Sequence, residues 1–153
     1  MARFRRRSTR GYLGRKRNVD RKIPCGNSTI VTGTQQVAYT FTAGVACVAK
    51  SIRLDVGGTS GGGVSIAVPY ALVVVREGYN ANNLNYPAVT GDLYNPTMDV
   101  LISGVLTDVT AEDHKSNAIG RKLKPGDRLA LIFFNGSASD INVAFEMSFS
   151  VLT

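Results

Sequence analysis

The chain has 153 residues, 44% of them hydrophobic, with 16 glycines and no tryptophan, a length that holds one domain with a full core and is short for two. The formal net charge is +7, but the first 22 residues hold ten Lys and Arg against the single acid Asp20, so they carry +9 and residues 23–153 carry −2. A basic segment joined to a slightly acidic body predicts a polyanionic partner for the segment, and no uninterrupted apolar run is long enough to predict a membrane span.

Within the basic segment, Arg3, Arg5, Arg6, Arg7, Arg10, Arg15, Lys16, Arg17, Arg21 and Lys22 are spaced irregularly, and only Phe4, Tyr12, Leu13 and Val19 interrupt them with large apolar side chains. There is no apolar stripe of helical period, which excludes an amphipathic membrane helix. With so little surface to bury, the segment cannot offset its ordering entropy and is expected to be disordered when unbound. Guanidinium groups bind phosphates bidentately without needing a fixed fold. Counterion release makes such binding salt-sensitive and largely independent of sequence, and Phe4 and Tyr12 can stack on unpaired bases. These ten basic residues and two aromatics are therefore the candidate nucleic-acid-binding residues. The same cluster can serve nuclear import; the plainer alternative is a solubilising tail. No apolar stretch of secretory type follows the start MARFRRRSTRGYLGRKR, which predicts a cytosolic or nuclear product. Pro24 and Gly26 mark the boundary between an arm at 1–22 and a folded domain at 23–153.

Beyond that boundary the dominant period is two, the signature of half-buried strands. Residues 30–34 are a weak strand candidate. Val37, Tyr39 and Phe41 alternate with Ala38, Thr40 and Thr42, and Ile52, Leu54 and Val56 alternate with Arg53 and Asp55. Residues 57–63 read as a flexible glycine-rich loop, since a phosphate cradle would need a GK[ST] ending and a following helix. Residues 71–75 suit a strand buried on both faces. The long connection 78–97 is rich in Asn, Tyr and Pro, and a loop of that length is often functional. Its Tyr79, Tyr86 and Tyr94 are candidate subunit-interface residues, or simply cover the edge of the domain. Residues 98–107 predict a strand bent at Gly104, and 110–114 a helical turn at most. Residues 117–123 are another weak strand. Leu129, Leu131 and Phe133 follow the turn 124–127, and the run Ile141, Val143, Phe145, Met147, Phe149, Val151 is the clearest strand of all. Seven or eight strands without helices predict an all-β antiparallel sandwich or barrel.

Few residues invite catalysis. There is one histidine, in Glu112-Asp113-His114, which reads as a solvated polar loop with a metal site at a subunit contact as the lesser alternative. No nucleophile or zinc motif is present, so the sequence predicts no enzyme, cofactor or metal. Cys25 and Cys47 fit no CxxC pattern and read as thiols, bridged only if the fold brings them together.

Three features carry a resemblance: the opening MARFRRRSTRGYLGRKR, the strand Ala49-Lys50-Ser51-Ile52-Arg53-Leu54 soon after the boundary, and the basic-to-apolar passage Arg121-Lys122-Leu123-Lys124-Pro125-Gly126-Asp127-Arg128-Leu129-Ala130-Leu131. In these the chain resembles the capsid proteins of small circular single-stranded DNA viruses that encode a replication initiator, the circovirus-like group. The resemblance implies an eight-stranded jelly roll and self-assembly as a homo-oligomer into an icosahedral T=1 shell of about sixty copies. It also implies packaging of single-stranded viral DNA by the arm, and location in the virion and, during assembly, the host nucleus. Two alternatives differ in class. A cellular nucleic-acid-binding β-domain with a basic tail would have a basic folded surface or exposed aromatics on a strand face. A trimeric ligand-type jelly roll for cell-surface receptors would be expected to follow a secretory route.

Overall fold

A computed structural model of the chain describes residues 18–60, 65–79 and 98–153. These residues form ten strands and no helix: β1 (Val19–Lys22), β2 (Cys25–Ile30), β3 (Gln35–Thr42), β4 (Cys47–Ser60), β5 (Ala67–Val75), β6 (Met98–Thr107), β7 (Glu112–Asn117), β8 (Arg121–Leu123), β9 (Arg128–Phe134) and β10 (Ile141–Leu152). In the first sheet β10 and β4 run antiparallel along almost their whole length. β2 and β1 lie end to end on the free side of β10; β7 and β8 do the same on the free side of β4. The second sheet has the order β3-β9-β5-β6, again antiparallel.

Taken as interrupted strands, β1/β2 and β7/β8 reduce the ten elements to eight. The chain then crosses between the sheets in the order of a jelly roll, four strands to each. The first interruption falls at Ile23-Pro24, where proline has no N–H for the ladder; the Pro24 carbonyl still accepts the Met147 N–H at 2.8 Å.

Several expectations need correction. Val19–Lys22 is a strand, although the sequence assigns residues 19–22 to the disordered arm. Its order comes from backbone pairing, Val19↔Leu152 through Lys22↔Phe149, on an otherwise open edge of β10, which side-chain composition does not reveal. The strand expected at 30–34 lies earlier, at Cys25–Ile30. No helical turn forms at 110–114, because Glu112–Asn117 pairs with β4 as an edge strand. Residues 57–60, expected in a loop, continue β4. The backbone at Gly58 comes close to the core, where a Cβ would lie 3.2 Å from Leu106 Cδ1. Finally, the irregularity in β6 falls at Leu101, opposite the Leu72/Val73 register shift, and not at Gly104.

The core lies between the sheets. Ile141, Val143, Phe145, Met147, Phe149 and Val151 all point inward, as their alternation predicts, and meet Tyr70, Leu72, Val74, Leu129, Leu131 and Phe133 of the second sheet. A second cluster, Ala71, Val73, Val75, Ala130 and Ile132, is buried on the opposite face of the second sheet, which is why β5 and β9 read as apolar on both faces.

Both ends of the sandwich are tied. At one end the Thr32 N–H donates to Asp140 (3.0 Å), the Ala67 N–H to Ser137 Oγ (2.8 Å) and the Ile66 N–H to Asp108 (2.6 Å), linking four inter-strand connections. At the other, buried Asp127 accepts from the N–H groups of Lys124 and Glu77 and from Arg76, which also bridges to Asp99 at 2.8 Å.

Candidate nucleic-acid interface

The register fixes which side chains leave the outward face of the first sheet, because residues directly opposite one another share a face. Along β10 the outward positions are Asn142, Ala144, Glu146, Ser148, Ser150 and Leu152. Reading across the strands gives successive rows: Asn27–Ala144–Gly57–Glu112, Cys25–Glu146–Asp55–His114, Ser148–Arg53–Ser116, Arg21–Ser150–Lys50, and Val19–Leu152–Val48–Lys122.

Charge is segregated along this face. Arg21, Lys50, Arg53 and Lys122 stand at one end, all exposed, and none makes an ion pair with a described residue. Serines separate them and no carboxylate does. Asp55, Glu112 and Glu146 stand at the other end. The Ser150 row lies four residues from the Glu146 row on β10, about 13 Å at ~3.3 Å per residue, so Arg21, Lys50 and Lys122 stand beyond the Debye length of about 8 Å in physiological salt from these carboxylates, whereas Arg53, in the Ser148 row, borders them at about 7 Å.

One backbone feature makes the basic end possible. Lys50 and Arg53 are three residues apart and would alternate to opposite faces of a regular strand. The β4 register jumps there from Arg53↔Ser148 to Lys50↔Ser150. Ser51 takes up the extra residue with φ +54°, a left-handed conformation that is costly for a residue with a Cβ. Ile52 and Ala49 still point inward, and both cations point out.

At the acidic end, Gly57 and Ala144 leave the sheet surface low. A trough of about 760 Å³ over Asn142 and Thr59 adjoins one of about 560 Å³ bordered by Asp55, Glu112, His114 and Glu146. Asp55 and Glu146 are directly opposed like charges, an unfavourable arrangement, and His114 Nδ1 lies 2.6 Å from Asp55 Oδ1. The hydrogen bond and charge of Asp55 raise the His114 pKa above its ordinary 6.5. This end repels phosphate. Among the described residues no set of three or more His, Cys, Asp and Glu is placed to hold a metal. Glu112-Asp113-His114 therefore resolves into separate roles: Asp113 points toward the sandwich, where the Tyr70 hydroxyl donates to it at 2.6 Å, while His114 faces out. Cys25 is exposed, Cys47 buried, and both are free.

Of the nucleic-acid candidates read from the sequence, Arg21 and Lys22 fall among the described residues, and β1 sends them to opposite faces. Arg21 joins the basic cluster. Lys22 shares the inward face with Phe149 and is held by Asp20 at 2.6 Å. Arg3, Phe4, Arg5, Arg6, Arg7, Arg10, Tyr12, Arg15, Lys16 and Arg17 lie outside the described residues, as do Tyr86 and Tyr94 of the interface candidates. Tyr79 is half exposed, and its carbonyl accepts a hydrogen bond from Arg128. Sequence pattern alone does not single out Lys50, Arg53 or Lys122, because the bulge that gathers them sits on a serine and not on a glycine.

No protein-family model matches the chain, and a comparison with curated proteins finds no match. Among solved structures, the chain is similar to the infectious bursal disease virus VP2 subviral particle and to the Gt strain of that virus. Each match has a TM-score of 0.45 and 8% identity over 90% of this chain and 33% of theirs. The Gx strain aligns with a TM-score of 0.42 and 8% identity over 91% of this chain and 32% of its own. The chain thus spans about a third of the length of the solved chains it matches.

Proposed function

We propose that this protein is a viral coat subunit: a jelly-roll domain that assembles into a small icosahedral shell and packages a single-stranded genome through its arginine-rich arm. The observation that carries the reading is the division of charge, +9 in residues 1–22 against −2 in the rest, on a jelly roll whose first strand, β1, pairs with the edge of β10. A near-neutral body lets identical copies pack without strong mutual repulsion, and a strongly basic arm neutralises phosphate. Cargo of single-stranded DNA, about sixty copies and passage through the host nucleus follow from the resemblance to circovirus-like capsid proteins.

A cellular nucleic-acid-binding domain is the second reading, favoured by one observation, the exposed Arg21, Lys50, Arg53 and Lys122 on the folded domain. Assembly separates the two. Negative-stain microscopy of the purified full chain is expected to show uniform closed particles. A monodisperse species of about 16.4 kDa at every concentration and salt would reject the coat-subunit reading and leave the cellular one.

A further inference from the structure

We propose that the basic end of the outward face of the first sheet is a second binding surface for the sugar-phosphate backbone of a single nucleic-acid strand, continuous with the arm. The inference rests on the nucleic-acid reading of the arm but adds Lys50, Arg53 and Lys122, which the arm does not contain, beside its Arg21. Arg21, Lys50, Arg53 and Lys122 come from β1, β4 and β8 and are brought to one face by the register. Strands lie about 4.8 Å apart and advance about 3.3 Å per residue. Arg21 and Lys50 are therefore about 10 Å apart at Cα, Lys50 and Arg53 about 7 Å, and Lys50 and Lys122 about 8 Å. The row crosses the strands instead of following them. Long side chains on this spacing can reach successive phosphates, and Ser116, Ser148 and Ser150 lie among them as further donors.

Two features set the chemistry of the ligand. The four cations lack carboxylate partners among the described residues, so their charge is free to neutralise phosphate. The outward rows contain no Phe, Tyr or Trp, and their one imidazole, His114, stands at the acidic end, so bases find no stacking platform beside the cations and the surface reads the backbone without sequence preference. Asp55, Glu112 and Glu146 close off the other end of the face and confine the strand to the end that carries β1. In a shell, this face is the one turned toward the cargo.

The test uses the full chain and fluorescent oligothymidylate, with log K followed against log salt. The variant Lys50→Ala/Arg53→Ala/Lys122→Ala is expected to make the slope shallower by about 2, at ~0.7 for each phosphate no longer neutralised. Glu112→Gln/Glu146→Gln is expected to leave it no shallower. Thermal melting by circular dichroism checks that both remain folded. Ultraviolet cross-linking of the bound strand is expected to mark peptides containing Lys50–Arg53 and Lys122 besides those of the arm. If the triple variant keeps the full slope and cross-links fall on the arm alone, while Arg5→Ala/Arg6→Ala/Arg7→Ala is shallower, the face is rejected and the arm reading stands. If no variant changes the slope, both are rejected.

Discussion

Lys50 and Arg53 project from the same face of β4 although they are three positions apart, because Ser51 between them adopts φ +54° and absorbs one residue of register. Glycine takes this conformation freely, whereas a side chain costs about 1–2 kcal/mol in the left-handed region. Ser51→Gly is accordingly expected to be neutral or to stabilise by up to about 1 kcal/mol. Ser51→Val, whose branched side chain tolerates the conformation least, should destabilise by about 1–2 kcal/mol. Urea unfolding midpoints measure both. Deleting Ser51 restores regular alternation with Lys50 and Arg53 two positions apart and still on one face, so the oligothymidylate salt slope should stay unchanged.

The turn between β8 and β9 should fail in acid. Burial works to raise the Asp127 pKa but is outweighed by the Lys124 N–H, the Arg76 guanidinium and the Glu77 N–H, which together hold it below the ordinary carboxylate value. A folded value below the unfolded one, about 3.9, gives stability that is present above about pH 4 and lost as the pH falls through the folded value. Asp127→Asn should cost about 1.5–3 kcal/mol at neutral pH. It should also flatten the acid limb of a stability curve recorded from pH 6 to pH 2; an unchanged acid limb would contradict this assignment.

Tyr70 and Asp113 join the two sheets through a hydroxyl–carboxylate bond of 2.6 Å, with Tyr70 fully buried. Tyr70→Phe should cost about 1.5–3 kcal/mol, the range for hydrogen bonds to charged groups. Gly104 faces the same pair: a Cβ there would stand 2.5 Å from the Tyr70 hydroxyl oxygen and 2.7 Å from Asp113 Oδ2. Gly104→Ala must therefore displace the pair and should destabilise by about 1–3 kcal/mol. A melting temperature equal to that of the parent chain would show that the space is not needed.

His114 should titrate above 6.5, because Asp55 accepts a hydrogen bond from the charged imidazole and attracts it. Any stability from this pair is present below about pH 6.5 and is lost as the pH rises through the raised value. The pH midpoint of the imidazole proton shifts of the sole histidine, followed by NMR, should fall back toward 6.5 in Asp55→Asn. No movement would mean that the pair does not form in solution.

The strands that face the core were legible in the sequence because burial imposes the alternation. The 141–151 run and the apolar runs of β5 and β9 declare themselves by side chains alone. Edge strands were not. β1, β2 and β7 are mostly exposed and owe their order to backbone ladders, which leave no hydrophobic period. The glycines at 57 and 58 suggested a loop, but Gly58 serves a close approach within a strand. The site divides similarly. The arm was visible as a density of arginine, whereas the cations of the folded domain were invisible as a group, since pairing register and one non-glycine bulge assemble them.

The absorbance ratio at 260 and 280 nm of purified particles, from the full chain and from a chain lacking residues 2–17, tests the central claim most directly. This truncation spares β1 and therefore the edge of the sheet. The coat-subunit account predicts a nucleic-acid-like ratio for the full chain, and for the truncated one a ratio that falls most of the way toward that of protein while circular dichroism still reports the β-fold. Truncated particles that retain the full nucleic-acid content would contradict it.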